Sequence, residues 1–296
     1  MTHSVKRTWL TMMAALLLVA VAAGCRRAAT DDPAHRLVSG WNRYCMGDFD
    51  FAVRNFNEAL VRVPTNCLLR QRLLHGLATT LDLRRPGEDP VRAEQLYREA
   101  IAIAPTNDLS AWCWLALARM KTLPVSGELA DLDQQVRAYQ EVVDRFPFHP
   151  AGEEAFLSQQ AARIEKPDEA RTREVLTALE TFIRMHPQSP WLSTAYSLVG
   201  GCCAILGLPE KRLEAALQEL KTEEMDPLNT EPDMSGIYWK IATLAEFETG
   251  EFALAREYYR KVMVDFPTDQ RVFLAKQEIA HMDDMESRIR REGGER

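Results

Sequence analysis

The stretch "GDFDFAVRNFNEALVRVP", residues 47–64, sets the reading of the whole chain. Its apolar positions are Phe49, Ala52, Val53, Phe56, Ala59, Leu60 and Val63, at spacings of 3, 1, 3, 3, 1 and 3. That pattern is one face of an α-helix. Gly47 stands before it, where a turn needs a residue without a Cβ. Pro64 stands after it, because proline cannot continue a helix and disfavours helical geometry one residue earlier. Small Ala alternates with large Phe, so a neighbouring helix can set a bulky side chain beside a small one.

The same ending recurs. Pro64, Pro105, Pro147, Pro187, Pro227 and Pro267 are separated by 41, 42, 40, 40 and 40 residues. The runs "AEQLYREAIAIAP", "RAYQEVVDRFP", "LETFIRMHP" and "AREYYRKVMVDFP" repeat the opening stretch, and "LEAALQELKTEEMDP" is a weaker copy. A fixed period of this length predicts stacked helical hairpins. Gly47, Phe49, Ala52, Phe56, Ala59, Leu60 and Pro64 resemble the second half of a tetratricopeptide repeat. The last copy is the fullest, with Trp239, Ala242, Gly250, Phe252, Ala255, Tyr259, Val262 and Pro267. Trp112, Leu115 and Ala116 match the first helix of a third unit, and Tyr196, Val199, Gly200 and Gly207 that of a fifth. The resemblance covers residues 33–267. It implies an all-α, tetratricopeptide-type α-solenoid of about six helix pairs, closed by a capping helix and frayed tail over residues 268–296.

The units are longer than the roughly 34 residues of the standard repeat. The surplus falls in "LRRPGEDP", "KTLPVSGE", "IEKPDE" and "MDPLNTEPDM", which Pro, Gly and acidic clusters mark as loops. HEAT-type repeats have a similar period but lack this Gly-to-Pro punctuation. Asp32 and Pro33 are the expected N-cap and first residue of the opening helix. In the closing helix Val272, Ala275, Ile279, Met282 and Ile289 form one stripe.

Residues 1–24 read as a separate object: Lys6 and Arg7, then an apolar run from Trp9 to Ala23, then small residues. This is the pattern of a secretory leader, too short to span a bilayer comfortably. Val21-Ala22-Ala23-Gly24-Cys25 resembles the lipobox of bacterial lipoproteins. That resemblance implies lipid attachment at Cys25, a linker over residues 25–32, and membrane anchoring through the lipidated N-terminus. Arg26 at the following position implies sorting to the outer membrane, facing the periplasm. Formal charge is −7 for the whole chain. Residues 1–24 hold two basic and no acidic residues, so without them it is −9. Acidity without basic clusters argues against nucleic acid as a partner. Cys45, Cys67, Cys113, Cys202 and Cys203 remain, an odd number with no CxxC spacing, and read as small buried hydrophobes.

Phosphate-binding, metalloprotease and nucleophile-elbow motifs do not occur in the sequence. The six histidines include no pair at metal-ligand spacing, and Glu153-Glu154 and Asp283-Asp284 read as solvated faces. The expectation is therefore no catalytic site, metal, cofactor or small-molecule substrate. Gly200-Gly201 reads as close helix packing. By resemblance, first helices line a concave groove that binds other proteins or peptides. The candidates are Trp41, Tyr44, Cys113, Leu117, Met120, Ile237, Lys240 and Phe247.

A narrower likeness lies in "YQEVVDRFPFHPAGEEAF", "LETFIRMHPQSPWLSTAY" and "YYRKVMVDFPTDQRVFLA". These resemble repeats of the outer-membrane lipoprotein subunit of the β-barrel assembly machine, which implies a scaffold in outer-membrane protein assembly. Two alternatives stay open at this point. One is an envelope lipoprotein coordinating cell-wall or secretion complexes. The other is a helical-repeat enzyme acting on peptidoglycan, which needs carboxylates in the groove.

Overall fold

The computed structural model describes residues 32–83, 87–121, 131–165, 168–224 and 234–293. The leader, Cys25, residues 26–31 of the linker, much of the four surplus loops and Pro227 lie outside the described residues. Within them every regular element is a helix. In chain order these are α1 (Pro33–Cys45), α2 (Phe49–Leu60), α3 (Leu68–Leu83), α4 (Pro90–Ile103), α5 (Asp108–Met120), α6 (Leu132–Arg145), α7 (Pro150–Ile164), α8 (Glu169–Met185), α9 (Leu192–Leu206), α10 (Pro209–Glu224), α11 (Ser235–Thr243), α12 (Phe252–Asp265) and α13 (Arg271–Gly293). Alpha-helix α11 runs on into a π-helical turn, Leu244–Thr249. Two compact units divide the chain, residues 1–127 and 128–296. The first holds α1–α5 and the second α6–α13. None of the described helices is long and apolar enough to cross a membrane.

The repeating prolines act through one corner geometry. Phe146, His186 and Phe266 each precede a proline and carry φ of −136°, −124° and −129°, outside the helical region as that position demands. Each still closes the preceding helix with its own N–H, to Val142, Phe182 and Val262 oxygens at 2.9, 2.9 and 3.1 Å. The carbonyls of the same three residues then accept from the N–H of His149, Ser189 and Asp269, at 3.1, 3.0 and 2.9 Å. Those residues stand two after the proline, and each side chain accepts an N–H at or just before the start of the next helix. His149 Nδ1 accepts from Ala151 N at 3.0 Å, Ser189 Oγ from Trp191 N at 3.1 Å, and Asp269 Oδ1 from Arg271 N at 2.8 Å. Asn107, two after Pro105, accepts from Ser110 N at 3.0 Å. Stop, turn and restart are thus coded in four residues.

Connections within a hairpin come in two kinds. Short ones use a left-handed glycine: Gly47 has φ 79° and Gly207 φ 65°. Around Gly47 the N–H groups of Gly47 and Asp48 return to Tyr44 and Arg43 oxygens at 3.0 and 2.8 Å, which satisfies the helix end. Longer ones restart on aspartate. Asp89, Asp131 and Asp168 accept from Arg92, Gln134 and Arg171 N–H at 3.0, 3.0 and 2.8 Å. Asp32 caps α1, accepting from Ala34 N at 3.2 Å with Pro33 next, as its sequence predicts.

In the first unit the core gathers Ala52, Phe56, Leu73, Leu77, Tyr97 and Ala100 with their neighbours. Phe56 is fully buried and its ring wedges between two helices at glycines. A Cβ on Gly40 would come within 2.5 Å of that ring, and one on Gly76 within 2.7 Å. Beside them Gln71 joins α3 to α4 and α5. Its Nε2 reaches Ala100 O at 3.1 Å and Ser110 Oγ at 3.0 Å, and its Oε1 accepts from Asn107 Nδ2 at 2.7 Å. The second unit has two cores, one around Val175, Leu179, Phe182 and Cys202, the other around Ile241, Ala255, Tyr259 and Met282. Ala275 and Met282 of α13 are fully buried there, whereas Ile289 is 63% exposed, so the apolar stripe of the closing helix ends earlier than the sequence suggests. Gly200 and Gly201 also differ from their reading. A Cβ on Gly200 would meet nothing within 4 Å and one on Gly201 only Ile164 at 4.0 Å, and both line a small cleft of about 220 Å³ instead.

Two substitutions test the wedge. Phe56→Ala is expected to lower the stability of the first unit by about 3–5 kcal/mol in urea unfolding. Gly40→Ala raises helix propensity by about 1 kcal/mol but overpacks a closed site at about 1–3 kcal/mol, so the net effect is a loss.

Candidate functional site

The expected groove residues divide sharply. Trp41 and Tyr44, one turn apart on α1, are half-buried and meet edge to face with ring centres 5.5 Å apart. Trp41 also packs on Phe56 at 5.8 Å and on His75 at 5.8 Å, and His75 meets Tyr97 at 6.1 Å. Beside this aromatic row a cleft of about 400 Å³ is lined by His75, Thr79, Asp82, Tyr97, Trp112 and Met120, among others. Met120 is therefore at a surface a ligand could reach. Cys113 and Leu117, expected on the same face, are packed into the core at 0% and 6% exposure and offer a partner nothing. Burial holds the Cys113 thiol up at about 12. Cys113, Cys202 and Cys203 are buried free thiols, as their apolar surroundings predict, whereas Cys67 is half-buried and Cys45 is exposed, unlike their reading as buried hydrophobes.

In the last repeat the three candidates play different parts. Ile237 is half-buried against the core. Lys240 Nζ donates to both carboxylate oxygens of Glu219, at 2.8 and 2.9 Å, so its charge is committed inside the fold. Phe247 is 64% exposed on the π-helical turn. Only Phe247 of the three presents a large apolar surface to solvent.

A mainly apolar concavity lies elsewhere, among α6, α7 and α8. It measures about 700 Å³ and is lined by Val143, Phe148, Phe156, Ala178, Phe182 and Met185, together with polar residues at its rim. Phe148 is 89% exposed and Met185 68%. Phe148 comes from a repeat corner, where helix periodicity carries no information, and Met185 is the last residue of α8. The signal was nevertheless present, since Phe148 sits between Pro147 and Pro150, a place where solvent-facing residues are normally polar.

The wall of this cleft is fixed by Glu153, which the sequence reads as a solvated acid. Its carboxylate is 12% exposed. Oε1 pairs with His186 Nδ1 at 2.9 Å and Oε2 accepts from Ser189 Oγ at 2.7 Å. Trp191 Nε1 donates to Pro150 O at 3.0 Å across the same junction. His186 in turn stacks on Phe182 at 4.7 Å, and Phe182 on Phe156 at 5.2 Å. The acid therefore orders the corner that carries Met185. The histidine search by pairs also missed one constellation: Glu278 and His281, one turn apart on α13, meet Glu246 of the π-helical turn.

No family model matches the chain, and no curated protein matches it significantly. Solved structures do. The chain is similar to a chain of the APC/C hetero-tetramer Cut9–Hcn1, at 14% identity and TM-score 0.53, covering 89% of this chain and 45% of that one. It therefore spans less than half of that relative. PilF of Pseudomonas aeruginosa is similar at 14% identity and TM-score 0.53, over 84% of this chain and 97% of that one. An assembly chaperone of RpL4, Acl4, is similar at 13% identity and TM-score 0.51, over 87% and 98%. At such identities what is shared is the fold. The protein is an all-α solenoid of the tetratricopeptide type.

His75 yields a pH prediction. Burial between aromatic rings lowers its pKa to about 4, against about 6.5 in an unfolded chain. Between those values the unfolded state binds the proton and the folded state does not. Stability from this group is thus full above about pH 6.5 and lost as pH falls toward 4, by up to about 3 kcal/mol. His75→Leu is expected to flatten that dependence in urea unfolding measured across the window.

Proposed function

We propose that the protein is a non-enzymatic, lipid-anchored scaffold that binds other proteins on the periplasmic face of the outer membrane and serves the assembly of β-barrel outer-membrane proteins. The observation that carries the binding role is the apolar cleft with Phe148 and Met185 at its edge. A contiguous exposed apolar patch on a folded surface marks an interaction site. Its concave shape and polar rim suit capture of apolar side chains from a helix or extended segment. The aromatic row of Trp41 and Tyr44 in the first unit is a second surface of the same chemistry. Among proteins of this fold, one is described as an assembly chaperone and another as part of a hetero-tetramer, which agrees with a scaffold. The address rests on the lipobox-like end at Cys25, and the barrel-assembly role on the repeat likeness over residues 139–275.

Cross-linking in intact cells tests both parts. Wild type is expected to capture a barrel-assembly component in the outer-membrane fraction. Phe148→Asp should reduce capture by about tenfold or more, the effect of removing an interface anchor, while leaving fractionation unchanged. Cys25→Ser should leave the membrane fraction. Capture of cell-wall hydrolases or secretion components instead supports the coordinator reading. If Cys25→Ser fractionates with wild type, the anchor is wrong.

A further inference from the structure

Glu246 is the most unusual side chain in the second unit. It sits on the π-helical turn Leu244–Thr249, 5% exposed, with a carboxylate that burial leaves short of partners. One oxygen is satisfied: Oε2 accepts from Tyr259 OH at 2.8 Å, deep in the core. The other, Oε1, is buried without any hydrogen-bond partner. An unpaired buried carboxylate oxygen is costly, so each one needs a physical reason.

The orphan oxygen points at two more potential ligands. His281 Nδ1 lies 3.8 Å from it, too far for a hydrogen bond, and 3.9 Å from Glu278 Oε2. The three donor atoms all lie within 4.8 Å of one another. Glu278 and His281 are spaced i, i+3 on α13, which puts both on one face of the helix. That spacing is a recurrent way for a helix to present two metal ligands. Burial above all, and then the neighbouring Glu278, raise the proton affinity of Glu246.

We propose that Glu246, Glu278 and His281 form a binding site for one divalent first-row transition-metal ion. The donor set is two carboxylate oxygens and one imidazole nitrogen. It contains no thiolate, so it fits Zn²⁺, Co²⁺ or Mn²⁺ rather than a soft ion, and its imidazole disfavours Mg²⁺ and Ca²⁺. A tetrahedral ion with bonds of about 2.1 Å holds its donors about 3.4 Å apart. The observed 3.8 and 3.9 Å separations close to that value with small rotations of the half-buried Glu278 and the exposed His281. Tyr259 already orients the Glu246 carboxylate from behind, as outer-sphere groups do at metal sites. Three protein ligands leave a fourth position for water. Bound there, the ion joins the π-helical turn to the closing helix, so metal binding and docking of α13 become one event.

The test is a Zn²⁺ titration of the metal-stripped full chain against a chromophoric chelator, with thermal unfolding in parallel. Wild type is expected to bind one Zn²⁺ per chain at this site and to gain in Tm. Glu246→Gln keeps the acceptor for Tyr259 and should weaken binding by about tenfold or more, as should Glu278→Gln and His281→Ala. Each of the three should gain less in Tm from zinc than wild type does. Because His281 is at an exposed position, its variant carries the test even if Glu246→Gln fails to fold. Co²⁺ gives a further readout, with visible bands of nitrogen and oxygen ligation and no sulfur charge-transfer band. Absence of a saturable site in wild type, equal affinity in His281→Ala, or a sulfur band that survives all three substitutions overturns the proposal.

Discussion

A proline donates no backbone hydrogen bond, and that missing donor organises the chain. The residue before the proline is pushed out of helical geometry as well, so the helix stops there and the carbonyl of that residue finds its partner outside the helix. At Phe146, His186 and Phe266 it is handed to the N–H three residues on. The chain then reverses in a space so small that the residue two after the proline already accepts an N–H at or just before the start of the following helix. Polar groups that a helix end would leave bare are satisfied locally, without calling on the core. The hydrophobic faces are left free to define the stacking.

This economy explains what the sequence discloses. Gly47, the prolines and Asp32 act on their own neighbours, and local effects are written in local sequence. Helices α1 to α13 follow from them together with the apolar period. The corner caps were legible too, in hindsight, since His149, Ser189, Asp269 and Asn107 share one offset from a proline. What periodicity cannot supply is which neighbour covers a given face. Cys113 and Leu117 lie on the helix expected to line a groove, yet both are core, because α5 buries more of its circumference than a two-sided helix would. Trp41 and Met120 kept accessible surface from the same pattern. Phe148 sits at a corner and belongs to no period at all.

Acidic residues were the least legible class. Glu153, Glu219 and Glu246 look alike in sequence to the many surface carboxylates of this acidic chain. In the structure each is largely buried and finds its environment far along the chain: Glu153 at His186 and Ser189, Glu219 at Lys240, Glu246 at Tyr259. A buried charge must be matched by geometry that only the stacked helices create. Reading by motif looks for ligands close in sequence, so it sees Glu278 and His281 as an ordinary helix face and cannot see the third residue opposite them.

The wedge of Phe56 between Gly40 and Gly76 carries a consequence for how this chain can change over time. Three helices share one volume there, and none of the three residues can grow alone. A larger residue at either glycine requires a smaller one in place of the phenylalanine, and loss of the ring leaves room that a side chain on α1 or α3 can fill. In descendants of this sequence the three positions will therefore drift as a correlated set. They will leave a signature of spatial contact between residues 16, 20 and 36 places apart, even where the repeat pattern itself has faded.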